Sequence, residues 1–303
     1  MNQQQQDTLG GTGTHVLAEI ASQPECWTKA IATAKESAAV LPSPGARVAI
    51  IGCGTSLHIA TAAAAAREAA GQGETDAFAA SEMPVRDYDL VIALSRSGTT
   101  TEILQALEQL PDSVPTLGIT ADAATPITGM VDDLVVLDYA DEQSVVQTRF
   151  ATSALTLLRA HAGHDLAPVV EEAARLLDQP LDASLVDRSH YVFLGRSWAL
   201  GVAAEAALKV REAASAWSEV YPALEYRHGP LSAADADTVI WMLGATDDSL
   251  ARDVSVSGAR VVTSDRDPQA ELVRVQRLAV ATAQQRGLDP DQPRHLTRSV
   301  ILS

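Results

Sequence analysis

The chain has 303 residues, enough for two domains of ordinary size or one large one, and its 47% hydrophobic content is ample for a buried core. A formal net charge of -17 argues against nucleic acid and anionic membrane as partners, because both demand a positive face. The two cysteines, Cys26 and Cys53, make neither a disulfide framework nor a metal-ligand cluster, the N-terminus lacks a signal-like apolar segment, and no apolar run reaches membrane-spanning length, so a soluble cytoplasmic protein is expected.

In chain order, residues 1–14 are Gln-, Gly- and Thr-rich and are expected to be disordered. Helical periodicity then runs from near His15, breaks around Pro24, and resumes over 28–40 until Pro42, Pro44 and Gly45 stop it. Arg47 to Gly52 reads as a buried strand feeding an alanine-rich helix over 57–70. Further strands are predicted at 76–80, 90–94, 116–120 and 134–137, with helical patterns between most of them. A long helix from about Val145 to His161 and another from Ala167 to Leu177 complete this half. The tract 179–187, with Pro180, reads as a linker. The pattern then restarts, with a strand at 190–194, a Gly-Arg-Ser turn and a helix from Ala199 to Trp217. Strands at 238–243 and 259–263 and a closing helix at about 270–286 follow. Alternating short strands and helices predict an α/β fold built on parallel, doubly wound sheets. The strand–glycine turn–helix at 47–57 and its echo at 190–199 suggest a duplicated domain.

Two places carry chemistry. Asp89–Leu94 runs into Ser95-Arg96-Ser97-Gly98-Thr99-Thr100-Thr101-Glu102, an apolar strand ending in a hydroxyl cluster around one glycine, followed by a helix. A helix start offers unpaired N–H groups and the positive dipole end, and Ser95, Ser97 and Thr100 add donors, so the turn suits a phosphate. One capping residue would need only one such hydroxyl. Gly52-Cys53-Gly54-Thr55-Ser56 is a second strand-to-helix turn, and turns after neighbouring strands converge at a switch point. The other place is Glu205, Lys209 and Glu212, at i, i+4 and i+7 on one face of an otherwise apolar helix. Either a solvated salt-bridge ladder or a functional cluster fits that spacing. Only three lysines occur against nineteen arginines, so a lysine in the middle of an apolar helix stands out. His228, in a loop closed by Gly229-Pro230, is open to both a functional and an exposed structural reading.

Taken together, Gly-Cys-Gly-Thr-Ser, Ser-Arg-Ser-Gly-x-Thr-x-Glu, Glu142-x-Ser144-Val145-x-x-Thr148, Ala-Leu-Lys209-x-x-Glu212, Arg227-His228-Gly229-Pro230 and Asp291-Gln292-Pro293-Arg294-x-Leu296 resemble sugar isomerase (SIS) domains. The pattern is similar to the isomerase half of glucosamine-6-phosphate synthase and to aminosugar-phosphate isomerase/deaminases, in order over residues 15–303. The resemblance implies two tandem SIS domains, flavodoxin-like and three-layered αβα, at 46–178 and 186–303, preceded by helices over 15–45. It implies that Thr55, Ser56, Ser95, Arg96, Ser97 and Thr100 hold a sugar 6-phosphate, with Glu142 and Val145 beside the sugar. Glu212 matches the base that moves a proton between C1 and C2. Lys209 matches the cation that stabilises the enediol-like charge. His228 matches the ring-opening acid/base, which relatives supply from the neighbouring subunit, so a homodimer with composite sites is implied. No cofactor or metal is implied.

Two departures shape the expectation. The chain does not begin with the cysteine that amide transfer from glutamine requires, so that reaction is not expected. Where the synthase has a Schiff-base lysine in the tail, this sequence has Arg298, which stays protonated and cannot form that imine, while it can still bind hydroxyls or phosphate. The expected function is an isomerase/deaminase acting on an aminosugar or ketosamine 6-phosphate. The alternatives are a fructosamine-6-phosphate deglycase and a non-catalytic phosphosugar sensor.

Overall fold

The computed structural model describes residues 12–244 and 248–302. The chain divides into two compact units, each assembled from separated stretches. The first comprises 23–141, 149–170 and 297–302, and the second 12–22, 142–148, 171–244 and 248–296. The expected segment 1–14 lies outside the described residues through position 11, and its last residue already begins a helix. Among the described residues no helix is long and apolar enough to cross a membrane.

In the first unit, α2 (Gln23–Glu36) is followed by β1 (Val48–Gly52), α3 (Thr55–Ala69), β2 (Thr75–Ala79), β3 (Leu90–Leu94), α4 (Thr101–Glu108), β4 (Thr116–Thr120), β5 (Asp133–Val136) and α5 (Arg149–His161). The five strands form one parallel sheet in the order β2-β1-β3-β4-β5. Every residue of β1 and β4 is buried, which is why β1 reads as a continuous apolar run rather than an alternating one. Ala49, Ile51, Val91 and Ala93 pack with Ile103 and Leu107 of α4, so one sheet face is covered by that helix. Helix α2 packs on α5 and is pinned there by the fully buried Trp27, whose indole N–H donates to Thr152 Oγ1 at 2.8 Å.

The second unit begins with α1 (Thr14–Ala21) and continues through β6 (His190–Gly195), α7 (Ala199–Ala214), β7 (Trp217–Pro222), β8 (Thr238–Met242), α8 (Asp248–Ser255), β9 (Arg260–Val262) and α9 (Pro268–Gln285). Its parallel sheet has the order β7-β6-β8-β9. Val192, Leu194, Ile240 and Met242 pack with Leu250 and Val254 of α8 on one face. Helix α7 packs on α9 and on β6 and β7. Helix α6 (Ala167–Asp178) spans the chain position where the two units part.

The two sheets share a connection pattern. In each, the first strand lies between the second and the third, the arrangement that creates a switch point beside the first strand. Each first strand also ends in a glycine pressed against the helix that follows. A Cβ on Gly52 would lie 2.5 Å from the Ser56 carbonyl carbon, and one on Gly195 2.6 Å from that of Ala199. No side chain fits at either position.

Three expectations need correction. Residues 145–148 are not helical, and α5 starts at Arg149. The carboxylate of Glu142 accepts from the Thr148 N–H and hydroxyl, and that of Glu19 accepts from the Gln143 N–H and the Ser144 hydroxyl; such side-chain bonds displace helical ones. Helix α7 ends at Ala214 because Ser215 adopts a left-handed conformation (φ 49°), so Trp217 opens β7 instead of extending the helix. That edge strand carries Ser218, Glu219 and Pro222 and is mostly half-buried, so it lacked an apolar run to announce it. Finally, 297–302 pack with the first unit, whereas the sequence reading grouped them with the second.

Candidate active site

In the first unit, strands β1 and β3 are adjacent and parallel, with Ile51 opposite Ala93, so the turns that follow them emerge side by side. Thr55 and Ser56 open α3 and are buried, with the Ser56 N–H donating to the Cys53 carbonyl at 3.0 Å. Burial, and secondarily Glu102, raises the Cys53 thiol pKa, which makes it a poor nucleophile at neutral pH.

The turn after β3 is rigid. Ser95 and Arg96 are buried, and Ser95 Oγ accepts from the Gly98 N–H at 3.2 Å while Ser97 Oγ accepts from the Thr99 N–H at 3.3 Å. The carbonyl of Arg96 is held by the Thr120 hydroxyl and the Ala121 N–H, each at 3.1 Å. Gly98 sits at φ +60°, and a Cβ there would collide with Thr125 Oγ1 and lie 2.8 Å from Ile127 Cγ2. Gly98→Ala is therefore expected to destabilise the protein by about 1–3 kcal/mol through strain at this position. It should also weaken phosphate binding, which thermal unfolding with and without inorganic phosphate would measure.

The segment 298–302 meets this turn. Arg96 donates from its guanidinium to the Arg298 carbonyl at 2.6 Å, Ser97 Oγ donates to Ser299 Oγ at 3.1 Å, and the Thr101 N–H donates to the Val300 carbonyl at 3.2 Å. The Arg298 side chain pairs with Asp141 at 2.6 Å. Nothing in the sequence marked Ser299; its place emerges only from the fold.

In the second unit, α7 presents Glu205, Lys209 and Glu212 along one face. Lys209 Nζ lies 3.2 Å from Glu205 and 2.6 Å from Glu212. The side chains are 0%, 1% and 20% exposed in that chain order, so Glu212 is the member with access to solvent. Burial by itself would lower the Lys209 pKa, but the two carboxylates more than offset it, and the ammonium is held above its ordinary range. The solvated-ladder reading thus fails for Glu205 and Lys209. Glu212 borders a small pocket with Ser215, Asp289, Gln292 and Arg294. Glu142 is buried against Thr148, and Val145 donates its N–H to the Asp291 carbonyl at 3.2 Å. His228 is exposed and follows a 3-10 turn over Ala223–Arg227. Among the described residues no group of three or more His, Cys, Asp or Glu side chains could hold a metal.

In open parallel α/β sheets ligands bind at the switch point, the place where this unit carries its hydroxyl-rich turns. Residues 43–162 match the SIS domain family model. The match covers one SIS domain, whereas the sequence reading expected two in tandem. The chain is 27% identical over 343 residues to the isomerizing glutamine–fructose-6-phosphate aminotransferase of Methanothermobacter thermautotrophicus, covering 97% of this chain and 58% of the relative. It is 28% identical over 305 residues to the same enzyme of Legionella pneumophila, covering 84% and 50%. The chain therefore spans about half the length of these curated relatives. Among solved structures, glucosamine-6-phosphate deaminase from Thermotoga maritima superposes with a TM-score of 0.81 at 27% identity, covering 94% of this chain and 99% of that one. The C-terminal domain of the aminotransferase from Francisella tularensis gives 0.78 at 22% identity, covering 92% and 98%, a likeness of fold.

Proposed function

We propose that this chain is an enzyme of the phosphosugar isomerase kind, acting on an aminosugar or ketosamine 6-phosphate. The observation that carries the reading is the buried Lys209 clamped between Glu205 and Glu212, with Glu212 alone open to solvent. Charges placed so deep in an apolar helix are costly unless paired or useful. The names of the similar enzymes, a deaminase and an isomerizing aminotransferase of hexose phosphates, support the same class.

In this reading the 95–101 turn, with Thr55 and Ser56, takes the 6-phosphate. The Glu212 carboxylate removes the proton from C2 of the open-chain aminoaldose; the C2–H electron pair becomes the C1–C2 double bond while the C1–O π pair moves onto O1, which takes up a proton. Returning the Glu212 proton to C1 as the nitrogen lone pair closes C2=N, with loss of one N–H proton, leaves an imine at C2 and a hydroxyl at C1, and water hydrolyses the imine to the ketose and ammonia. Lys209 orients the Glu212 carboxylate, and His228 opens the sugar ring. The resemblance further leads us to propose that a second copy of the chain supplies that histidine, and that the second unit is a diverged SIS domain. The shared strand order and the paired glycines Gly52 and Gly195 support the last point.

The test is incubation with glucosamine 6-phosphate, galactosamine 6-phosphate and fructoselysine 6-phosphate, reading released amine and deuterium uptake at C1 and C2. Turnover of either of the first two with ammonia release is the expected result. Turnover of fructoselysine 6-phosphate alone would make it a deglycase. Binding with neither turnover nor exchange would leave a sensor and overturn the enzymatic reading.

A further inference from the structure

Three consecutive residues of the 298–302 segment present three oxygens to the donors of the 95–101 turn. They are the Arg298 carbonyl on the Arg96 guanidinium, the Ser299 hydroxyl on Ser97, and the Val300 carbonyl on the Thr101 N–H. Ser299 Oγ also lies 2.9 Å from Thr99 Oγ1. A phosphoryl group offers a comparable set of three acceptor oxygens to such a turn.

We propose that this segment is an internal stand-in for phosphate, filling the cradle when it is empty and yielding it when a phosphorylated ligand arrives. The inference rests on the phosphate reading of the turn given above. Proton stoichiometry argues for an occupant rather than a fixed wall. The Ser97 hydroxyl and the Thr101 N–H each carry one proton, and each donates it to the segment. A phosphate can use those donors only after the segment lets go. The way the segment is held makes release inexpensive. Within 294–302 only Ser299 is half-buried, and Val300, Ile301 and Leu302 are 51%, 71% and 57% exposed. Among the described residues no apolar side chain of the segment is buried, and its polar attachments include the contacts above, the Leu302 N–H on Thr101 Oγ1 at 2.9 Å, and the half-exposed Arg298–Asp141 pair. The segment therefore lowers the apparent affinity of the cradle by the fraction of time it occupies it.

Two full-length variants test this. Ser299→Ala removes one of the three oxygens, and Asp141→Asn loosens the Arg298 anchor. Each is expected to bind inorganic phosphate more tightly than the parent chain by titration calorimetry, about fivefold for Ser299→Ala, the value of one net hydrogen bond. Saturating phosphate should also speed amide hydrogen exchange at Leu302 in the parent chain. Unchanged or weaker phosphate binding by both variants, or slower exchange at Leu302, overturns the inference while leaving the phosphate reading intact. If parent and variants alike bind neither inorganic phosphate nor glucosamine 6-phosphate at millimolar concentration, the phosphate reading itself falls and takes this inference with it.

Discussion

Glu212→Gln is expected to abolish proton exchange between C1 and C2 of the substrate while leaving the fold intact. A positioned general base contributes about 10²–10⁴-fold to such a step, so exchange of solvent deuterium should fall by that factor. The fold should survive because Glu212 is partly exposed and a glutamine carbonyl oxygen can still accept from the Lys209 ammonium, 2.6 Å from the present carboxylate. The loss should appear in kcat rather than in phosphate affinity, since the proposed phosphate donors lie on the 95–101 turn. Deuterium incorporation followed by NMR, beside a phosphate titration of the same variant, separates the two. Exchange within a few-fold of the parent chain would remove Glu212 from the chemistry.

Lys209→Met should produce the largest stability change. Removing the ammonium leaves Glu205, which is 0% exposed, as a buried charge without its 3.2 Å counter-ion. Breaking a buried pair in this way costs about 3–5 kcal/mol, visible as a lower urea midpoint with an unchanged slope. The double variant Glu205→Gln/Lys209→Met should recover much of that loss, because no uncompensated charge is then buried. The pH dependence has a defined sign. The folded-state pKa of Lys209 is raised above 10.5, so the stabilisation from its charge is fully present below that value and is lost only as the pH climbs through the higher folded one. The stability gap between the parent chain and Glu205→Gln/Lys209→Met, which buries no uncompensated carboxylate, should therefore stay constant between about pH 6 and pH 9. A gap that closes within that window would mean that Lys209 is neutral in the folded protein. Loss of activity in Lys209→Met beyond its loss of folded protein would reflect misplacement of Glu212.

The parallel sheets were legible because both sheet faces are covered. β1 and β3 are runs dominated by Val, Ile, Leu and Ala, and β3 and β4 fall on the predicted residues. β7 was not legible, because in an edge strand that exposes Trp217 and carries Pro222 the one buried residue, Ser218, is polar and gives no apolar pattern. The false helical start at 145–148 has a different cause. Its apolar periodicity is real, but the carboxylates of Glu19 and Glu142, one of them more than a hundred residues away, capture the local N–H groups.

By itself the sequence determined that this protein is α/β, that a hydroxyl-rich turn follows β3, and that Glu205, Lys209 and Glu212 share a helix face. These are properties of near neighbours in the chain, set by periodicity and spacing. Only the tertiary structure decided which of those charges is open to solvent, because burial depends on what packs around α7 and not on α7 itself. Only it brought Ser299 to Ser97 across some two hundred residues. A hydrogen bond between distant hydroxyls leaves no periodic trace in a sequence, because neither its partners nor their spacing recurs along the chain.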